Sequence, residues 1–174
     1  MGQYHFVANM DKREFLHPHR FGDGLKLMEF GGSGGGTMLG LAVLLACSND
    51  RGGGDLHVDE STTVGEAIAK HVVGRWAGDQ IAIIGDYASD GDFEYRDRQF
   101  GGLTAFRADD GPWADDTTWV DISGPVLEAL KQDAYHEDRP AWSSGSGKQA
   151  ILTPDGLEVV EIEEREFELD KSDE

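Results

Sequence analysis

The sequence predicts one α+β domain: a mixed or antiparallel sheet, about three helices and a disordered acidic C-terminal tail. Three observations lead there. The chain has 174 residues, the length of one ordinary domain, which buries roughly 70% of its unfolded surface without disulfides or structural metal. Strand-like and helix-like stretches occur together along it, separated by glycine-rich loops. From 155 to 174 there are ten acids against two bases, too much charge for a packed segment. The domain is therefore expected over residues 1–162 and the tail over 163–174.

The elements follow in order. Residues 3–10 carry the β-formers Tyr4, Phe6 and Val7 and lead into the charged turn Asp11-Lys12-Arg13-Glu14, which reads as a first strand. His17-Pro18-His19-Arg20 is extended or turning, because the residue before proline is pushed out of the helical region. Asp23-Gly24 turns the chain into 25–30 (Leu-Lys-Leu-Met-Glu-Phe), a second strand. Glycines dominate residues 31–36, and Thr37 caps a helix to about Cys47, apolar nearly all round and so expected to be buried.

A second glycine loop occupies 51–55. Thr63 and Glu66 form a capping box, and Val64, Ala67, Ile68, His71 and Val72 make a helical stripe that Gly74 or Gly78 ends. The continuous apolar run Ile81-Ala82-Ile83-Ile84 reads as a central strand. Short strands are expected at 93–96 and 103–107, a strand at 119–122, and a helix from about Pro125 to Tyr135. After a linker at 143–147, strands 149–153 and 157–162 flank Pro154-Asp155-Gly156 as a hairpin. The segments Asp-Gly-Leu-Lys-Leu-Met-Glu-Phe (23–30) and Asp-Gly-Leu-Glu-Val-Val-Glu-Ile (155–162) share the same turn-into-strand chemistry rather than a duplication.

Acids outnumber bases 34 to 15, for a formal charge of −19. A phosphate backbone would be repelled, which excludes bare duplex nucleic acid and anionic membranes as partners. The carboxylates are scattered and lysine is scarce, the pattern of a protein adapted to a salt-rich cytoplasm, where molar salt screens repulsion within about 3 Å. The N-terminus lacks a basic region followed by an apolar run, and the most apolar stretch is about ten residues, too short to span a bilayer. A cytoplasmic location is expected. The single Cys47 excludes an intrachain disulfide framework.

Few constellations could carry chemistry. Gly31-x4-Gly36-Thr37 imitates a phosphate-binding loop but lacks the lysine before Thr37; Gly34, Gly35, Gly36 and Thr37 are its anion-binding candidates. His17, His19, Asp23, Asp55 and His57 could join in a metal site only through the fold. His71, on an apolar stripe, reads as a core histidine, and Cys47 as part of a buried helix. The run Asp86-x3-Asp90-Gly91-Asp92-x-Glu94-x2-Asp97 matches five positions of a calcium loop, with Ala88 at the third. Arg75 and Trp76 precede the apolar run and Asp86 follows it, where open sheets often place sites. The plain alternative pairs Arg75 with Asp79 and packs Trp76.

The runs Asn9-Met10-Asp11-Lys12-Arg13-Glu14-Phe15, His17-Pro18-His19 with residues 22–29, Arg51-Gly52-Gly53-Gly54-Asp55, Gly74-Arg75-Trp76-Ala77-Gly78-Asp79 and Gly85-Asp86-Tyr87 resemble a family of uncharacterised proteins. The likeness covers about residues 3–88 and implies no activity. The residues themselves suggest binding of a small polar or anionic ligand lined by the glycine loops, Asp55, Arg75 and Asp86, which should then converge on one cleft. A metal-dependent hydrolase is the alternative, with a divalent metal held among His17, His19, Asp23, His57, Asp86, Asp90, Asp92 and Glu94. The third reading is a non-enzymatic interaction or virus-associated structural protein with a protein partner.

Overall fold

In the computed structural model of the chain, the described residues are 2–89, 92, 112, 118–132 and 147–162. The expected strands at 93–96 and 103–107, the calcium-loop positions Asp90 and Glu94, most of the linker and the tail at 163–174 lie outside them.

The N-terminal β-formers make strand β1 (His5–Asn9), which turns through Asp11-Lys12-Arg13 into β2 (Glu14–Leu16). The turn is tied internally: Asn9 Oδ1 accepts the amides of Asp11 (3.0 Å) and Lys12 (2.9 Å), and Arg13 takes a left-handed φ of 53°. Strand β2 begins at the charged Glu14, which is why the sequence pattern assigned that residue to the turn. His17 stays extended before Pro18, and Pro18–Phe21 form one turn of 3-10 helix closed by Gly22 at φ 71°.

Residues 25–30 are not a strand. They run into helix α1 (Leu27–Gly31), where Glu29 Oε2 accepts the Lys26 amide at 3.1 Å across the first turn. A strand there would have needed alternate burial, but Leu27, Met28 (82% exposed) and Glu29 face out and only Phe30 is sealed. Helix α2 (Thr37–Leu45) follows with Gly36 at its N-cap, so Thr37 is its first residue. Cys47 lies beyond its end and is exposed, which corrects the buried-helix expectation. Ala42 and Leu45 are exposed as well, so the apolar helix is buried on part of its surface. Its last carbonyls receive the amides of Gly74 (to Val43, 3.0 Å) and Trp76 (to Leu44, 2.8 Å). Gly74 has φ 71° and approaches the Ala46 carbonyl too closely for a side chain.

Helix α3 (Thr63–His71) is capped one residue earlier than expected: Thr62 Oγ1, not Thr63, accepts the Gly65 amide at 3.0 Å. Ala67, Ile68 and Val72 are buried as the stripe requires, whereas Val64 is exposed. Strand β3 (Ile81–Gly85) pairs antiparallel with β1. Strand β4 (Val120–Asp121) leads directly into helix α4 (Ser123–Leu130), and the expected hairpin is β5 (Gly147–Thr153) with β6 (Gly156–Ile162) around Pro154-Asp155.

The described strands form one mixed sheet in the order β3-β1-β2-β4-β5-β6. Strand β4 runs parallel to both β2 and β5, while β3-β1-β2 and β5-β6 are antiparallel. The apolar run 81–84 is thus at one end of the described sheet, not its centre, and Ile83 is 44% exposed. The main core packs α2, α3 and α4 against one face through Val7, Leu16, Leu44, Ile68, Trp76, Val126 and Leu130. A smaller cluster of Phe6, Ala8, Phe15, Ile84 and Trp119 forms separately. The fold is α+β, and among the described residues no helix is long and apolar enough to cross a membrane.

Candidate functional site

At the end of the first glycine loop the Thr37 amide, the first of α2, is already taken. Asp23, 3% exposed, places Oδ2 against the Thr37 amide (2.7 Å) and the Thr37 hydroxyl (2.8 Å). The chain's own carboxylate thus takes the seat an external anion would need at the start of α2. Gly36 is required for this contact: a Cβ there would lie 2.1 Å from Asp23 Oδ2. Gly35 and Gly36 are buried beside it, while Gly34 is exposed.

Asp55, Arg75 and Asp86 do not share a partner. Asp55 turns back on its own loop, accepting the amides of Arg51 (2.7 Å) and Gly52 (3.1 Å). Arg75 engages Glu14, not Asp79: Nε reaches the two carboxylate oxygens at 3.1 and 3.0 Å, and Nη2 reaches Oε1 at 2.5 Å. Trp76 Nε1 adds a 2.7 Å bond to the same carboxylate. Asp79 instead receives the Lys12 ammonium and Asn9 Nδ2 (2.8 Å), which hold its carboxyl below the usual range, Lys12 most of all. Asp86 Oδ1 accepts the Tyr4 amide at 3.1 Å, at the other end of β1. Glu14 pairs with Asn9, so Arg75 and Asp86 are anchored five residues apart along β1, about 16 Å at roughly 3.3 Å per residue. The three expected site residues thus engage three separate sets of partners.

Nor do the described metal candidates converge. Among the described residues, no three of His, Cys, Asp and Glu are placed to hold one ion. The His17 ring packs on Phe6 (4.8 Å between centroids) and His19 (5.5 Å), and its backbone amide donates to Ser123 Oγ at 2.9 Å. Burial lowers the His17 pKa from 6.5 to about 4, with His19 and Arg20 adding to the effect. Burial also lowers His19, against an opposing pull from Glu29. Asp23 is committed to Thr37, and His57 is exposed on its loop. Asp92 folds back on Ser89, accepting its amide at 3.0 Å and hydroxyl at 3.1 Å. His71 is half-buried against the hairpin rather than sealed in the core, and its Nε2 is buried without a hydrogen-bond partner.

A different place gathers polar chemistry in a concave setting. A cleft of about 410 Å³ lies between α3, the first turns of α4, and the β5–β6 hairpin. Val64 and Ala67 line it from α3, Gly124, Pro125 and Glu128 from α4, and residues 149–154 with Ile162 from the hairpin. Its deep polar group is Arg20, whose Nη1 donates to Gln149 Oε1 at 2.7 Å and lies 3.8 Å from Asp121 Oδ2. Asp121 and Gln149 are register partners on the parallel pair β4–β5, which sets the carboxyl and the amide side by side. Asp121 also accepts the Ser123 amide at 2.8 Å, and burial raises its pKa above the ordinary carboxylate value.

The sequence reading missed this group. Arg20 sits in a segment read for its histidines, and 129 residues separate it from Gln149. The available signal was a carboxylate inside the apolar strand Trp119-Val120-Asp121-Ile122, since buried charges require partners.

A second cavity of about 330 Å³ lies beside the 51–55 loop, lined largely by Leu39, Val43, Ala46, Leu56, Val73 and Leu130, with Asn49, Gly54 and Asp55 at its polar side. There Asp55 Oδ2 is engaged by that loop's own amides. Comparison of the chain with protein-family models, curated proteins and solved structures gives no match.

Proposed function

We propose that the protein is a cytoplasmic, salt-adapted binding domain for a small ligand, seated in the cleft between α3, α4 and the β5–β6 hairpin with its polar end toward Arg20 and Gln149. One observation carries the reading: a concave site of about 410 Å³ has apolar walls and a recessed arginine–glutamine pair. Ligand pockets of roughly 300–1,000 Å³ with mostly apolar linings and a few placed polar groups are the usual design. The expected polar ligand is kept, but its seat moves from the glycine loops, where Asp23 and Asp55 satisfy the nearby amides. Strands β2 and β4 end near the start of α4 and β5 passes beside them at Gln149, an arrangement that supports a site drawn from segments far apart in sequence.

The test is a set of small acids, amides and amines titrated into the isotopically labelled protein and followed by backbone amide NMR. Binding should move the resonances of Gly124, Gln149 and Ala150 saturably. Val64→Phe, at a rim position that is 48% exposed, should weaken it by about tenfold without unfolding the chain. Shifts confined to the 51–55 loop would overturn the assignment.

A further inference from the structure

We infer that the second cavity, beside the 51–55 loop, is a preformed site for a neutral, mostly hydrocarbon molecule: a substituted aromatic ring or a branched alkyl chain. It shares none of its described lining residues with the cleft at the hairpin, so the inference stands apart from that assignment. Its walls come from the main core and from what covers it. Val43 and Leu130 are buried core residues, Leu39, Leu56 and Val73 pack half-buried against that core, and Ala46 completes the wall just past α2. An apolar cavity of about 150 Å³ already admits benzene, so a volume of about 330 Å³ leaves room for a substituted ring.

Hydrogen bonds hold the space open, from the loop and from α2. Apolar walls across a water-filled gap gain by closing on each other, and here both are pinned. Asn49 commits both ends of its amide to one residue: Nδ2 donates to the Leu56 carbonyl at 2.7 Å, and Oδ1 accepts the Leu56 amide at 3.0 Å. That clasp closes residues 49–56 into a compact surface loop, an element that frequently carries function, and sets Leu56 at the cavity. Asp55 Oδ2 braces the loop from within, on the Arg51 and Gly52 amides. At α2 the amides of Gly74 and Trp76 hold the Val43 and Leu44 carbonyls at 3.0 and 2.8 Å, which fixes the end of the helix. A wall ordered before binding need not be ordered by the ligand, and affinity rises accordingly. The same bonds set the ligand class. With both ends of the Asn49 amide turned to Leu56, an entering molecule meets mainly hydrocarbon, where an ion would give up its hydration.

The experiment titrates toluene, benzoate and benzylammonium into the isotopically labelled full chain and follows backbone amide resonances. Toluene should move Ala46, Leu56 and Val73 saturably, and each ion should bind at least about tenfold more weakly, because its charge must leave water. Ala42 lies exposed at the mouth of the cavity, where a larger side chain fills the space without entering the core. Ala42→Phe should therefore weaken toluene by about tenfold or more, with the spectrum of the rest of the chain unchanged. Asn49→Ala removes both bonds of the clasp and should also weaken toluene by about tenfold, since the wall must then be ordered on binding. Either ion binding as tightly as toluene, or a toluene affinity unchanged in either variant, would overturn the inference. So would the absence of a saturable shift, or toluene shifts confined to Gly124, Gln149 and Ala150, and each of these results leaves the assignment of the hairpin cleft standing.

Discussion

Removing the Glu14 carboxylate should destabilise the fold more than removing any other single charged group described above. Glu14 is 7% exposed at the start of β2 and accepts both Arg75 nitrogens and the indole N–H of Trp76, which is fully buried. Glu14→Ala leaves the indole donor without an acceptor, at about 1–3 kcal/mol. It also leaves Arg75 unpaired. Breaking a fully buried pair costs about 3–5 kcal/mol, but the Arg75 side chain is 26% exposed and recovers part of its hydration. The two losses overlap, and together come to about 3 kcal/mol, or a melting midpoint lower by roughly 6–12 °C for a chain this size. Glu14→Gln keeps one carbonyl acceptor and should cost about half as much. Urea unfolding in molar KCl, followed by tryptophan fluorescence, measures both. Losses below about 0.5 kcal/mol for both variants would refute the reasoning, because that is the level of a surface substitution.

Acid should weaken the fold through His17. The unfolded imidazole protonates near 6.5 while the folded one resists until about 4, so stability is full above the first value and is lost as pH falls toward the second. That amounts to about 2 kcal/mol between about pH 7 and pH 5. His17→Phe should flatten this part of the pH dependence in urea titrations, and an unchanged slope would show that His17 is not held neutral. Salt should act in the other direction: the melting midpoint should rise by several degrees from low to molar KCl, as the screening length shrinks from about 10 Å to about 3 Å. A flat or falling midpoint, read by circular dichroism, would rule out the salt-adapted reading.

Local chemistry was enough for several elements. The strand at His5–Asn9, the Pro154-Asp155 hairpin and the cap before α3 each depend on neighbours within a few residues, and the sequence identifies them to within a residue or two. The expected extended His17 before Pro18 is observed for the same reason, since its restriction is steric and local.

Elsewhere the same letters gave different structures. Residues 23–30 and 155–162 begin with an identical Asp-Gly-Leu, yet the second run is strand β6 and the first enters helix α1. Leu157 and Val160 have β5 to pair with, whereas Asp23 is drawn away to the start of α2 and Glu29 closes the helical turn. Sequence likewise could not tell that Arg75 would choose Glu14 over the nearer Asp79, or that the apolar run 81–84 would find only β1 among the described strands. Arg20, Asp121 and Gln149 meet only because β4 lies between β2 and β5. The residue types, their charges and the short-range turns were therefore written in the chain, but the cleft was decided by strand pairing across more than a hundred residues. Its partners are chosen by burial and long-range complementarity, which no local pattern encodes.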